Sequence, residues 1–221
     1  MSSNAARRRY QAARPFSECG GIATCKVEKH PRIEVIDEEL HTFSRRVEFA
    51  EANFSTYSID LLRLYLSICS EIDVAGKLLC QRIGAHLEER PTMDDYRRSL
   101  KSRYPHLSSV KITLRPLAQE ILPWETWNED QNLDWWKKHQ LVKHQRDQYF
   151  AEANRKNVLF AGGGLLVFLT YWHQPELWNY KVNPAFNIFE VEGLGRGIQF
   201  MPRYKLADFP TLPMPPEALS S

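Results

Sequence analysis

The sequence predicts a mainly helical fold with a small β appendage, and three observations point there. Apolar residues recur at three- and four-residue steps from Ser58 to Ile83. Two further helical stretches, about 131–150 and 151–173, follow a tryptophan-rich segment, either as two helices or as one bent where they meet. Strand-like patterning is confined to short runs near 110–115 and 186–201.

The elements follow in order. With 221 residues, 43% of them hydrophobic and 25% charged, the chain can bury a sizeable core as one large domain or one domain with attachments. Residues 1–35 carry Arg7, Arg8, Arg9 and Arg14, then Gly20 and Gly21, without a sustained apolar period. They read as a mobile basic tail, either a solvated arm or a weak electrostatic grip on phosphate. No hydrophobic segment follows those arginines, so they do not read as an export signal. Residues 36–205 read as a single helical domain. Its first strong helix presents Leu62, Leu66, Cys69, Ile72, Leu79 and Ile83 on one side. Thr92 offers an N-cap to a short charged helix that the Tyr104-Pro105 junction stops. Val110, Ile112 and Leu114 alternate with Lys111, Thr113 and Arg115 as in a half-buried strand.

The four tryptophans Trp124, Trp127, Trp135 and Trp136 admit two readings, a base-stacking platform or the lid of the core. Trp135 and Trp136, adjacent on a helix, diverge by about 100°, so one of them faces a groove or an interface. Gly162, Gly163 and Gly164 lie inside an apolar helix, where each costs about 1 kcal/mol relative to Ala; they imply close packing against another helix or a local break. Phe186 to Val191 and Gly197 to Met201 read as strands around the turn Glu192 to Arg196. Residues 206–221 read as a Pro-rich, extended tail.

Composition also excludes. Twenty-nine Lys and Arg against 27 Asp and Glu leave a net charge of +2, too balanced for a dedicated polyanion binder, so any nucleic-acid surface is local. Four cysteines are too few for a disulfide scaffold, which makes a reducing cytoplasm the expected location. Cys69 and Cys80, roughly 16 Å apart along one helix, read as core thiols. Cys19, Cys25 and His30 lack the usual zinc-ligand spacing, and no metal site is expected. The run from Val158 to Trp172 is shorter than the roughly twenty residues a membrane span needs, so no membrane association is expected.

No Walker loop, dinucleotide fingerprint, paired-His zinc helix or nucleophile elbow is present, and no cofactor is expected. What remains is a basic and imidazole cluster, Lys137, Lys138, His139, Lys143, His144 and Arg146. At 100° per residue His139 and Lys143 share a face, and Lys143 and Arg146 are neighbours. Lys143 and Arg146 suit a phosphate; an imidazole, with an unperturbed pKa near 6.5, suits proton exchange at His144. Attack of an RNA 2′-hydroxyl on its adjacent phosphate needs those two functions and no metal. The plain alternative is a solvated helix face.

Glu71 lies beside Ile68 and Ile72, where a buried carboxylate needs a partner; Lys143, His144 and Arg146 are its candidates. Asp73 stands four residues before Lys77, the spacing of a surface ion pair. The order of Cys69-Ser70-Glu71-Ile72-Asp73, Trp135-Trp136, Lys143-His144-Gln145-Arg146, and a long helix entered by Ala153-Asn154 resembles the HEPN superfamily over about residues 56–173. The resemblance implies an up-and-down helical bundle, frequent homodimers, and metal-independent RNA cleavage by an Arg and a His four to six residues apart, of a toxin, stress-response or phage-defence type. His144 matches the family His, and Glu71 the acidic residue that orients the motif. Five positions before His144 stands His139 rather than Arg, and Lys138 is the nearest cation at a permitted spacing. His144, Glu71 and His139 are therefore the expected catalytic set, and Lys143, Arg146 and Lys138 the expected phosphate-binding set. The alternative is a catalytically silent HEPN-like module whose basic cluster docks a protein partner, such as an antitoxin, or a nucleotide.

Overall fold

The computed structural model describes residues 31–172 and 187–191. The basic segment up to residue 30 with Cys19, Cys25 and His30, the Glu192 to Arg196 turn, the strand expected at Gly197 to Met201 and the Pro-rich tail lie outside the described residues.

Helix α1 (Pro31–Ser44) starts inside the stretch read as tail. Pro31 suits a first helical position, and Ile36 and Leu40, one turn apart, enter the core. Helix α2 (Ile59–Arg82) is the periodic segment of the sequence: the Ser58 hydroxyl accepts the Leu61 N–H at 3.1 Å, and Leu61, Tyr65, Ile68, Ile72 and Leu79 are buried. Cys69 and Cys80 are free and buried. Helix α3 (Met93–Arg103) carries a reciprocal cap. Thr92 accepts the Asp95 N–H, and the Asp95 carboxylate accepts the Thr92 N–H at 2.7 Å. Tyr104, ahead of Pro105, ends it.

A three-stranded antiparallel sheet follows. Strand β1 (Ile112–Leu114) lies between β2 (Gln119–Ile121) and β3 (Phe189–Val191). Ile112 pairs with Ile121 and Val191, and Leu114 with Gln119 and Phe189, so one face is apolar and the other carries Thr113, Glu120 and Glu190. β2 has one buried apolar residue, Ile121, and gives no alternation to read.

The stretches read at about 131–150 and 151–173 resolve into α4 (Asp134–His144), α5 (Arg146–Tyr149), a 3-10 turn at Phe150–Glu152 and α6 (Arg155–Trp172). The α4–α5 break is at Gln145, whose φ of −139° and ψ of 52° leave the helical region. Helix α6 packs along α2 and is buried on nearly every side. Among the described residues, no helix is long and apolar enough to cross a membrane.

The tryptophans resolve in favour of the core. Trp124, Trp127 and Trp135 are buried; Trp124 stacks on Phe168 at 4.2 Å, and Trp135 Nε1 donates to the Pro123 carbonyl at 2.8 Å. Trp136 is half-buried. The three glycines do not break α6; Gly164 admits a side chain of another helix, Trp135 of α4, while Gly162 and Gly163 admit the sheet and Pro123. A Cβ at Gly162 would sit 2.7 Å from Phe189 Cζ, at Gly163 3.1 Å from Pro123 Cγ, and at Gly164 3.3 Å from Trp135. They bring the sheet and the tryptophans against the helix backbone.

Ala in place of a helical Gly adds about 1 kcal/mol of propensity. At Gly162 the buried Phe189 ring blocks the new methyl, so Gly162→Ala should destabilise the fold by about 1–3 kcal/mol in urea unfolding. Gly164→Ala, with looser contacts, should cost clearly less. A Gly162→Ala protein as stable as the parent would show that β3 gives way freely.

Candidate functional site

Helix α4 carries most of the site. It turns Trp135, His139 and Val142 inward, the spacing of one helix face, and packs against both α2 and α6, with the Trp135 ring against Gly164 of α6 and the His139 ring against Tyr65 of α2. The Tyr65 hydroxyl donates to the Trp135 carbonyl. Burial, with smaller contributions from Cys69, Asp134 and Glu152, pushes the Tyr65 phenol far up, so it stays a protonated donor.

His139 is 4% exposed, edge-on to Tyr65 at 5.7 Å between ring centroids and against Trp136 at 5.0 Å. The Gln140 side-chain amide reaches its Nδ1 at 3.4 Å. Burial first, then the charges of Lys143 and His144, push its pKa down to about 4. At neutral pH His139 is therefore an uncharged aromatic wedge between α2 and α4.

Lys138 is held in an ion-pair network. Its Nζ lies 2.9 Å from Asp134 and 3.4 Å from Glu152, and the Glu152 carbonyl accepts from Asn157 Nδ2 at 2.8 Å. Burial pulls the Lys138 pKa down, but the two carboxylates outweigh it and hold the ammonium charged. Lys138 thus ties α4 to the start of α6. Glu71 is 5% exposed on α2, with the fully buried Ile68 and Ile72 beside it.

Lys143 and His144 stand in the last turn of α4, and Arg146 opens α5 just past the break. All three residues are exposed, and none takes part in an ion pair or side-chain hydrogen bond among the described residues. The open carbonyls at a helix C-terminus favour cations there by about 0.3–1 kcal/mol. Lys143 lies near enough to the buried Cys69 to oppose the rise that burial imposes on that thiol. The structure thus leaves Lys143, His144 and Arg146 exposed within four residues of one another around the α4–α5 break, buries His139 in the core, and engages Lys138 in ion pairs.

One charged residue escaped the sequence reading. Arg155, at the start of α6, is 1% exposed, stacked 4.2 Å from the Phe49 ring centroid and 5.5 Å from that of Phe43. Its Nη1 donates to the carbonyls of Glu48 at 2.6 Å and Val47 at 3.3 Å, while Nε and Nη2 have no hydrogen-bond partner among the described residues; burial lowers its pKa. It fastens the 47–49 segment to α6. In the sequence it is one polar residue ahead of an apolar run, and no local pattern marks it. Among the described residues, no group of three or more His, Cys, Asp and Glu side chains is placed to hold a metal ion.

No family model, no curated protein and no solved structure matches the chain.

The His139 environment sets a pH dependence. Between about pH 6.5 and 4 the unfolded chain binds a proton at this position that the native state refuses, so the stabilising contribution present above pH 6.5 is lost as the pH falls. His139→Phe keeps the ring contacts and removes the titration. Its unfolding free energy should decline less steeply than that of the parent over this window. Parallel pH profiles would place the His139 imidazole in water.

Proposed function

We propose that the chain is a HEPN-like helical protein that grips RNA phosphates through Lys143, His144 and Arg146 and cleaves RNA without a metal, with His144 as its acid–base group. The observation that carries this reading is the exposed trio at the α4–α5 break, none of whose members pairs with a described carboxylate. A side chain already neutralised gains little from a phosphate, whereas an unpaired cation displaces a condensed counterion from the RNA. Arg146 supplies a planar fork for two phosphate oxygens, and Lys143 a point charge.

In the proposed step the 2′-oxygen attacks the adjacent phosphorus and the 5′-oxygen leaves. His144 takes the 2′-proton or delivers one to the leaving oxygen, and water handles the other. Lys143 and Arg146 neutralise the charge that grows on the non-bridging oxygens. The product ends are a 2′,3′-cyclic phosphate and a 5′-hydroxyl. A homodimer, which the resemblance implies, would supply a second imidazole.

A second reading has its own observation. His139 stands where the resemblance calls for Arg, and it is buried and uncharged at neutral pH; Lys138, the nearest cation, is ion-paired. Neither replaces the missing guanidinium, which favours a module that binds an RNA or a protein partner through the same surface without cleaving it.

Incubating purified protein with total RNA in excess EDTA across about pH 5.5 to 8.5 separates the two. On the first reading the parent cleaves and His144→Ala loses about 10²–10⁴ of the rate while still binding RNA. Undiminished cleavage by His144→Ala would remove the enzymatic assignment. Binding without cleavage by both proteins would establish the silent module.

A further inference from the structure

Against Phe150, four residues past Arg146, stands an exposed aromatic residue with a fixed backbone. Tyr57 is 51% exposed, and its ring meets Phe150 edge-to-face, with centroids 5.4 Å apart and an interplanar angle of 77°. Its backbone forms an isolated antiparallel bridge with Asn154. Just before Tyr57, the Thr56 carbonyl accepts the Arg155 N–H at 2.9 Å, as part of that bridge, and the Phe54 carbonyl accepts the Lys156 N–H at 3.0 Å. The buried Arg155 guanidinium bonds the Glu48 carbonyl from the same helix start. A large ring half in water, on a backbone held by two such hydrogen bonds, presents itself at little conformational cost.

Its relation to the cations runs through Phe150. Phe150 follows Arg146 by four residues, across α5 and past Tyr149, whose φ of −115° and ψ of 21° leave the helical region. Tyr57 packs on Phe150, in the same stretch of fold that carries Arg146, with His144 and Lys143 just before it. Asp147 is the one carboxylate between residues 143 and 150. Along the chain the order is cation, imidazole, cation, and then the phenylalanine that carries the exposed ring.

We propose that Tyr57, braced by Phe150, is a stacking platform for an unpaired base, which makes single-stranded RNA rather than duplex the ligand of this surface. The inference rests on the reading that Lys143, His144 and Arg146 bind RNA phosphate. A duplex presents its phosphates to such cations but keeps its base faces stacked inside, out of reach of a tyrosine; an unpaired base offers its π face, and its own phosphate lies toward the cations. Stacking on an aromatic side chain tolerates any base, so the platform selects for strandedness, not sequence.

Fluorescence anisotropy with a labelled oligouridylate and a blunt RNA duplex of equal length tests this against the full chain, in excess EDTA. The parent should prefer the single strand, Tyr57→Ala should weaken single-strand binding about tenfold and abolish the preference, and Tyr57→Phe should restore it to within about twofold. Lys143→Gln should weaken both probes and lower the slope of log K against log salt by about 1, whereas Tyr57→Ala should leave that slope unchanged. Should Tyr57→Ala not fold, Tyr57→Leu, which covers Phe150 without an aromatic face, should show the same loss. Single-strand affinity indifferent to Tyr57→Ala or Tyr57→Leu, with Lys143→Gln still weakened, overturns the platform and leaves the phosphate grip standing. A parent that binds neither probe overturns both.

Discussion

The close approach of α6 to its neighbours at Gly162, Gly163 and Gly164 is the constraint on which the rest of the molecule depends. Three consecutive helical residues point about 100° apart, so each missing side chain admits a different neighbour: Phe189 of β3, Pro123 with Ile121 of β2, and the Trp124–Trp135 pair. The glycines together cost about 3 kcal/mol in propensity. Against that stands burial of three tryptophans, Phe168 and Phe189, each worth about 1.5–3 kcal/mol or more. The backbone approach also lets Trp124 Nε1 donate to the Gly164 carbonyl at 3.1 Å, a bond that a bulkier helix surface would hold out of reach. Trp135 begins α4, so the packing that fixes this ring also fixes the helix bearing the cations.

Buried polar groups fasten distant parts of the chain to that centre. The Asp37 carboxylate of α1 accepts the Asn187 and Ile188 backbone N–H groups at 2.7 and 3.0 Å and Asn187 Nδ2 at 2.9 Å, joining α1 to the approach to β3. Tyr96 donates to Asp73 Oδ1 at 2.7 Å, with Lys77 on the other oxygen at 2.6 Å, and seats α3 on α2. Removing the Asp37 carboxylate would leave the Ile188 N–H buried without a partner, at about 1–3 kcal/mol, whereas the Asp73 carboxylate, 37% exposed, can turn to water. Arg155 belongs with them, its Nη1 on two carbonyls of the 47–48 segment and its Nε and Nη2 without a hydrogen-bond partner among the described residues.

What the sequence revealed follows from which physical signals are local. The α2 and α3 boundaries were legible because Ser58 and Thr92 cap them through side chains within three residues, and the apolar period of α2 is unbroken. α1 was missed because its two core contacts, Ile36 and Leu40, sit among acidic residues after a basic stretch. β2 has one core residue and exists through its pairing with β1. The cluster at 137–146 was legible as composition, but its division was not. Lys138 pairs with Asp134 four residues earlier on its own helix, a pair that spacing does disclose; its second carboxylate, Glu152, folds back against it, and His139 is buried because Tyr65, seventy-four residues earlier, lies opposite it. Partners such as Glu152 and Tyr65 are set by tertiary structure, and a residue's spacing along its own helix does not disclose them.

The break at Gln145 converts a basic helix into a site. Through His144 the chain follows α4, whose inward face is committed to α2 and α6; Lys143, one turn beyond His139, lies toward the same side yet remains exposed near the helix end. Continued regular winding would carry the residues after 144 alternately into α2 and out to solvent. The departure at Gln145 instead restarts the helix in a new direction, with Arg146 at its first position and Phe150 just past its end against Tyr57. Exposed cations at the carbonyl end of one helix are thereby followed, within one short helix, by the phenylalanine that braces Tyr57. The seat of α4 on the tryptophan core, through the Trp135 Nε1 bond to the Pro123 carbonyl and the Trp135 ring against Gly164, fixes the helix end from which that order starts.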